Sequence, residues 1–198
     1  MNAGRLIVRV VVGGLFFGHG MQKLAGWFGG SGLEGTDKMM HALDMEPARR
    51  NAIASGLTEA AGGAALIAGM ATPVAAAGLM GTMITAIRKV HFKNGVWNSN
   101  RGWEYNAVLL ASLFALVESG PGTFSLDAAR GRVRSGTGWA LATLAAGAAA
   151  SVAIVEVGRR NAQAARLMEA SDAAASETTP PAELSEPRAA SEGHGPSA

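Results

Sequence analysis

The sequence predicts an all-α, polytopic membrane protein, and three observations carry that prediction. Only 16% of the 198 residues are charged, against about 25% in an ordinary soluble domain. No Asp, Glu, Lys, Arg or His occurs from Ala60 to Ile87 or from Gly136 to Val155, and about 20 apolar residues suffice to cross a bilayer as helix. Alternating polarity is absent while Ala and Gly dominate, which argues against strands. The chain divides into a four-helix membrane core (1–135), an additional transmembrane helix (136–158) and a mostly disordered polar tail (159–198).

The first span is expected over Leu6–Ala25. At about 100° per residue, Arg5, Arg9, Phe16, His19 and Lys23 fall within about 80° of arc. Such a stripe should face other helices rather than lipid. Gly14 and Gly18 form a GxxxG that permits close helix approach. The early arginines and apolar run imitate a signal peptide, but no small-x-small cleavage site follows, so retention is expected.

Loop one, Gly26–Glu46, places Trp27 where an interfacial aromatic belt would lie. Thr36 is a candidate N-cap for a short surface helix with Asp37 in its first turn. Met39, Met40 and Leu43 would form its apolar face. Gly30–Gly35 matches GxGxxG by letter, but it follows a membrane helix rather than a strand, so a dinucleotide site is rejected.

Span two begins near Pro47 and ends near Met70, with Ser55, Glu59, Gly62 and Leu66 on one face. Ala71-Thr72-Pro73 turns the chain into span three, Pro73–Phe92, where Gly78, Thr82, Thr85 and Lys89 share a face. Span four runs from Trp103 to Glu118 and is short. Gly120-Pro121-Gly122 breaks the helix, and Ser125 with Asp127 opens a short segment. Span five, Gly138–Val157, reads as an anchor or packing helix. Beyond it the chain is too poor in large apolar residues to offset ordering entropy; a helix continuing from span five is expected to reach about Met168, and Ser171–Ala198 is expected to be disordered.

Antiparallel spans joined in order bring the polar residues to one side. His19, Gln22 and Lys23 come late in span one, and Glu59 comes early in span two. Arg88, Lys89 and His91 end span three, and Glu104, Tyr105 and Asn106 open span four. A single polar pocket near one membrane face accounts for this, because ionisable groups at membrane depth are costly without a role. Its expected catalytic groups are Glu59, His19, Lys23 and Tyr105. Its expected cofactor-contacting groups are His19, Gln22, Trp27, His91 and Glu104. His, Lys, Glu and Tyr can exchange protons and hydrogen bonds with quinone-like carbonyls. No metal site is expected. The absence of cysteine excludes disulfides and thiolate-held metals or clusters, and no nucleic-acid motif is present.

The pieces His19-Gly-Met-Gln-Lys-Leu24, Gly26-Trp-Phe-Gly-Gly30, Gly32 through Gly35-Thr36, and Glu59 with Gly62-Gly63 resemble the DoxX family. His91, Trp103-Glu-Tyr-Asn106 and Gly120-Pro-Gly122 through Ser125-Leu-Asp127 extend the resemblance over roughly Arg5–Arg130. It implies a four-helix membrane bundle in a bacterial plasma membrane and a redox-associated, quinone-linked oxidoreductase subunit. The partners would be the lipid bilayer with redox enzymes or further copies of the chain. The alternatives are a non-catalytic scaffold for redox enzymes and a small transporter. A fifth span and a long tail depart from the family pattern. The loop-one and loop-three side carries more Lys and Arg than the other, so the positive-inside rule favours a cytoplasmic tail.

Overall fold

The computed structural model describes residues 3–178, and every regular element in them is helical. Seven α-helices follow one another: α1 (Ala3–Ala25), α2 (Gly32–Ala42), α3 (Ala48–Ala68), α4 (Thr72–Ala86), α5 (Glu104–Ser119), α6 (Leu126–Ala129) and α7 (Thr137–Thr178). Helix α4 runs on without a break through a π-helical turn, Ile87–His91, into a short 3₁₀ turn, Phe92–Asn94. Met1–Ala164 is one compact unit, and the residues after it form a second. In the described part of the second, Leu167 and Met168 are largely exposed.

Helices α1 and α3 pack antiparallel and backbone to backbone. A Cβ added to Gly20 would lie 2.3 Å from the Ala60 nitrogen, and one added to Gly63 would lie 2.5 Å from the Gly13 oxygen. Only a residue without a side chain allows that approach. The GxxxG read from the sequence is not the contact. Gly14 has open space beside it, and Gly18 meets only the edge of Phe28. The buried face of α1 instead carries Arg9, Val12, Gly13, Phe16 and Gly20. Around this seam Phe16, Leu66, Leu79, Met80, Leu113 and Val117 are almost completely buried and form the main core.

Several elements differ from expectation. Helix α2 begins at Gly32, so Thr36 lies inside it rather than at its cap. Its hydroxyl bonds back to the Gly32 carbonyl (2.8 Å) and approaches that of Lys23 (3.2 Å). Burial against α1 outweighed the capping preference. Met40 of the same helix packs with Met45, Ala52 and Val155, so part of the methionine face meets protein rather than a membrane surface.

The helix of span five was expected to reach about Met168 and to give way to disorder from Ser171, yet α7 continues helical through Thr178. Alanine has the highest helix propensity, and extending an existing helix avoids the cost of nucleation. Residues 179–198 of the expected disordered tail lie outside the described residues. Helices α1 and α7 are long and apolar enough to cross a membrane. Helices α4 and α5 have only 15 and 16 residues, about 22–24 Å of α-helix.

Candidate functional site

Lys23 and Glu59 meet across the α1–α3 seam, where the ammonium donates to Glu59 Oε2 as an ion pair. The glycine seam brings the two helices close enough for this. The Glu59 side chain is 3% exposed and that of Lys23 is 24% exposed. A carboxylate so deep in protein is tolerable when it is paired.

The pair forms part of the wall of a cavity of about 470 Å³. Ser55 and Thr58 of α3 continue that wall, and Met39 and Met40 of α2, with Leu43 just after it, supply an apolar one. Thr82, Thr85 and Lys89 line it from α4 and its π-helical extension. The last wall belongs to α7, through Ser151, Ile154 and Val157. A volume of this size falls within the range of small-molecule sites, which are mostly apolar with a few placed polar groups.

Helix α7 is fastened to α4 at the cavity's edge. Thr85 Oγ1 and Ser151 Oγ lie 2.9 Å apart, and Arg88 donates to the Ser151 carbonyl at 3.1 Å. Gly147 sits against the α4 backbone, where an added Cβ would lie 2.8 Å from the Ala77 oxygen. The expected anchor helix is therefore a structural wall of the cavity. Ser151 was the available signal, one of the few polar residues in a charge-free run.

The other expected site residues lie off the cavity. His19 donates through Nδ1 to Gln22 Oε1 at 3.0 Å, and its ring meets that of Tyr105 edge-on at 6.3 Å. Trp27 packs edge-on against Phe17 and Phe28 and is about half exposed. His91 Nδ1 donates to the Arg101 carbonyl at 2.7 Å, and Glu104 accepts the Asn98 backbone N–H at 2.8 Å. These last two close the loop between α4 and α5 upon itself. An irregular segment must satisfy its own backbone groups, and that need directs His91 and Glu104 away from the cavity. Of the expected residues, only Lys23 and Glu59 line it.

The sequence reading also missed a buried polar clasp far along α1 from Lys23. Arg9 is 2% exposed. Its guanidinium donates to the carbonyls of Ile67, Pro121 and Phe124. Asp127 accepts from the backbone of Ala71 (2.8 Å) and Thr72 (2.9 Å) and from the Thr72 hydroxyl (2.8 Å). It thereby caps α4, in the manner of a side-chain cap supplied from a distant segment. A Cβ at Gly69 would strike both Arg9 and Ser125, and the φ of +63° there also favours glycine. The Gly120-Pro-Gly122 and Ser125–Asp127 pattern thus serves architecture.

An open depression of about 510 Å³ lies around Asp37, His41, Glu46 and Arg49. These groups already pair, His41 with Glu46 and Asp37 with Arg49. The His41 hydrogen bond, reinforced by the Ala48 backbone N–H, holds the Glu46 carboxyl below the ordinary carboxylate range.

The DoxX family model matches residues 4–92, just under half of the chain, and supports DoxX family membership for that stretch. The matched stretch contains α1 through α4, with both partners of the buried ion pair. It ends short of the Trp103–Asn106 and Gly120–Asp127 pieces through which the resemblance was expected to continue. Comparison with curated proteins finds no match, nor does comparison with solved structures. The family match and the apolar helices together point to a membrane protein.

Proposed function

We propose that this chain is a multi-pass protein of a bacterial plasma membrane, a redox-associated subunit that binds a quinone-like ligand beside Lys23 and Glu59. The observation that carries this reading is the cavity of about 470 Å³, apolar over much of its wall and bounded by a buried ion pair. Exposed apolar side chains support the multi-pass reading. Val11 and Leu15 on α1, Leu57 on α3, Val74 on α4, Val108 on α5 and Val152 on α7 all face outward. Five helices with bare apolar faces call for a lipid solvent.

The residues present fit a quinone head group. Lys23 is a donor for a carbonyl oxygen, and Glu59 is a proton acceptor next to it. Bound there, a quinone would supply electron-accepting chemistry. The chain's own contribution is to hold the ring in an apolar wall and to move a proton between Glu59, Lys23 and a ligand oxygen. The electrons would come from a partner enzyme.

Binding of a short-chain quinone to the purified protein in nanodiscs, followed by reduction with candidate donors, tests this reading. We expect saturable binding that Lys23→Met and Glu59→Gln each weaken by about tenfold or more. Copurifying redox enzymes with no quinone binding would replace it by a scaffold. Substrate flux into liposomes would replace it by a transporter.

A further inference from the structure

The charge around the cavity is unbalanced, and the imbalance constrains what it holds. Lys23 is paired with Glu59, the only acidic residue of the lining among the described residues. Lys89 lines the same cavity and has no hydrogen-bond or ion-pair partner among the described residues. Its neighbours are engaged: Arg88 with the Ser151 carbonyl, and His91 with that of Arg101. Lys89 thus stands as the one unpaired cation of its segment, half-buried beside an apolar wall. An ammonium in such surroundings is costly unless an opposite charge joins it. Ser55 and Thr58, also in the lining, have no hydrogen-bond partner among the described residues. The cavity therefore offers open donors, and its one carboxylate is already neutralised.

The backbone supplies a second observation. Lys89 sits within the π-helical turn Ile87–His91 that ends α4. Such turns are rare and recur at functional sites. The turn follows one cavity-lining stretch, Thr82 and Thr85, and itself carries another, Lys89 and Val90.

We propose that the cavity takes an amphiphilic monoanion, with an acidic head group on Lys89 and an apolar body against the wall formed by Met39, Met40, Leu43 and Ile154. The proposal rests on this cavity being the ligand site and goes beyond the quinone reading by fixing the charge of what enters. Two sources share that chemistry. One is a quinone bearing an ionised ring hydroxyl, and the other is a fatty-acid carboxylate.

The full-length protein in phosphatidylcholine nanodiscs is tested with two matched pairs of probes, with protein-free nanodiscs as the blank. One pair is 2-hydroxy-1,4-naphthoquinone, ionised at neutral pH, and uncharged 1,4-naphthoquinone. The other is laurate and dodecanol. At least one anion should bind about tenfold or more tightly than its neutral counterpart, as expected for one charge-assisted contact. Lys89→Met should abolish that preference, and Lys89→Arg should restore it. Equal binding within both pairs, or an unchanged preference in Lys89→Met, would overturn the proposal. If Lys89→Met does not fold, the wild-type preference within the pairs decides. The quinone reading fails separately if laurate binds and neither naphthoquinone does, and the anion proposal then stands. Binding of both naphthoquinones alike, with no laurate preference, gives the reverse outcome. Absence of binding by all four probes overturns both.

Discussion

Glu59 owes its position to two glycines, Gly20 on the facing helix and Gly63 on its own. Without the close approach at Gly20 and Gly63, the Lys23 ammonium would not reach a carboxylate that is 3% exposed. Removing one partner of a buried pair strands the other, at a cost of about 3–5 kcal/mol. The partial exposure of Lys23 places this case toward the lower end. Glu59→Gln and Lys23→Met should each lower thermal stability in detergent, and the double variant should lose less than the sum of the two. Strict additivity would show that the two side chains do not act as a pair. The depth of Glu59 was legible from its place inside an apolar run. The partner was legible too, because consecutive antiparallel spans bring the end of one beside the start of the next. His19 and Tyr105 were legible only as polar residues near the same level. Their edge-on contact depends on helix rotation, which composition does not set.

At the scale of elements, the connection from α2 to α3 is held by one carboxylate. Glu46 accepts the Ala48 backbone N–H at 2.7 Å, at the start of α3, and also bonds His41 near the end of α2. Glu46→Ala should destabilise the protein by about 1 kcal/mol, as the loss of a helix cap does. The pH dependence has a definite sign. Glu46 ionises below the ordinary carboxylate range, so its contribution is complete above that range and is lost as pH falls through the lowered value. His41→Ala should move this acid limb upward in a stability–pH profile, and an unmoved limb would remove His41 from the account. Element existence was readable from charge-free runs, but element boundaries and faces were not. Thr36 looked like a cap because threonine often is one, yet it sits buried where its hydroxyl meets the Gly32 carbonyl. The choice between Gly14 and Gly13 as the contact turned on one helix position, and a chain this rich in glycine gives no local preference.

For the whole molecule, the last helix separates into a part that closes the cavity and a part that does not. Ser151, Ile154 and Val157 line it, and the compact unit ends at Ala164. A chain ending at Ala164 should keep ligand binding within about twofold, a difference well under 1 kcal/mol. A chain ending at Ser135 lacks one wall and should lose binding. Equal binding by both would place the ligand elsewhere. The apolar character of α7 was plain in the sequence. Its contribution to the cavity was not, because alanine and glycine contact by absence of bulk and leave only Ser151 as a marker.

Arg9 sets a condition on how this protein is made. Its guanidinium reaches carbonyls of Ile67, Pro121 and Phe124, so two of its three acceptors emerge from the ribosome more than a hundred residues after it does. On the proposed multi-pass reading, α1 enters the bilayer during synthesis with a cation that has no final partner. Water, lipid phosphate or the insertion machinery then has to solvate it until the Pro121–Phe124 turn arrives. The stretch 4–92 that carries the family match contains only the Ile67 acceptor. As an isolated fragment it would hold both members of the Lys23–Glu59 pair while leaving Arg9 short of two contacts. Completion of the fold is thus a late event in biogenesis, marked by the moment when a turn near the fifth helix locks the first.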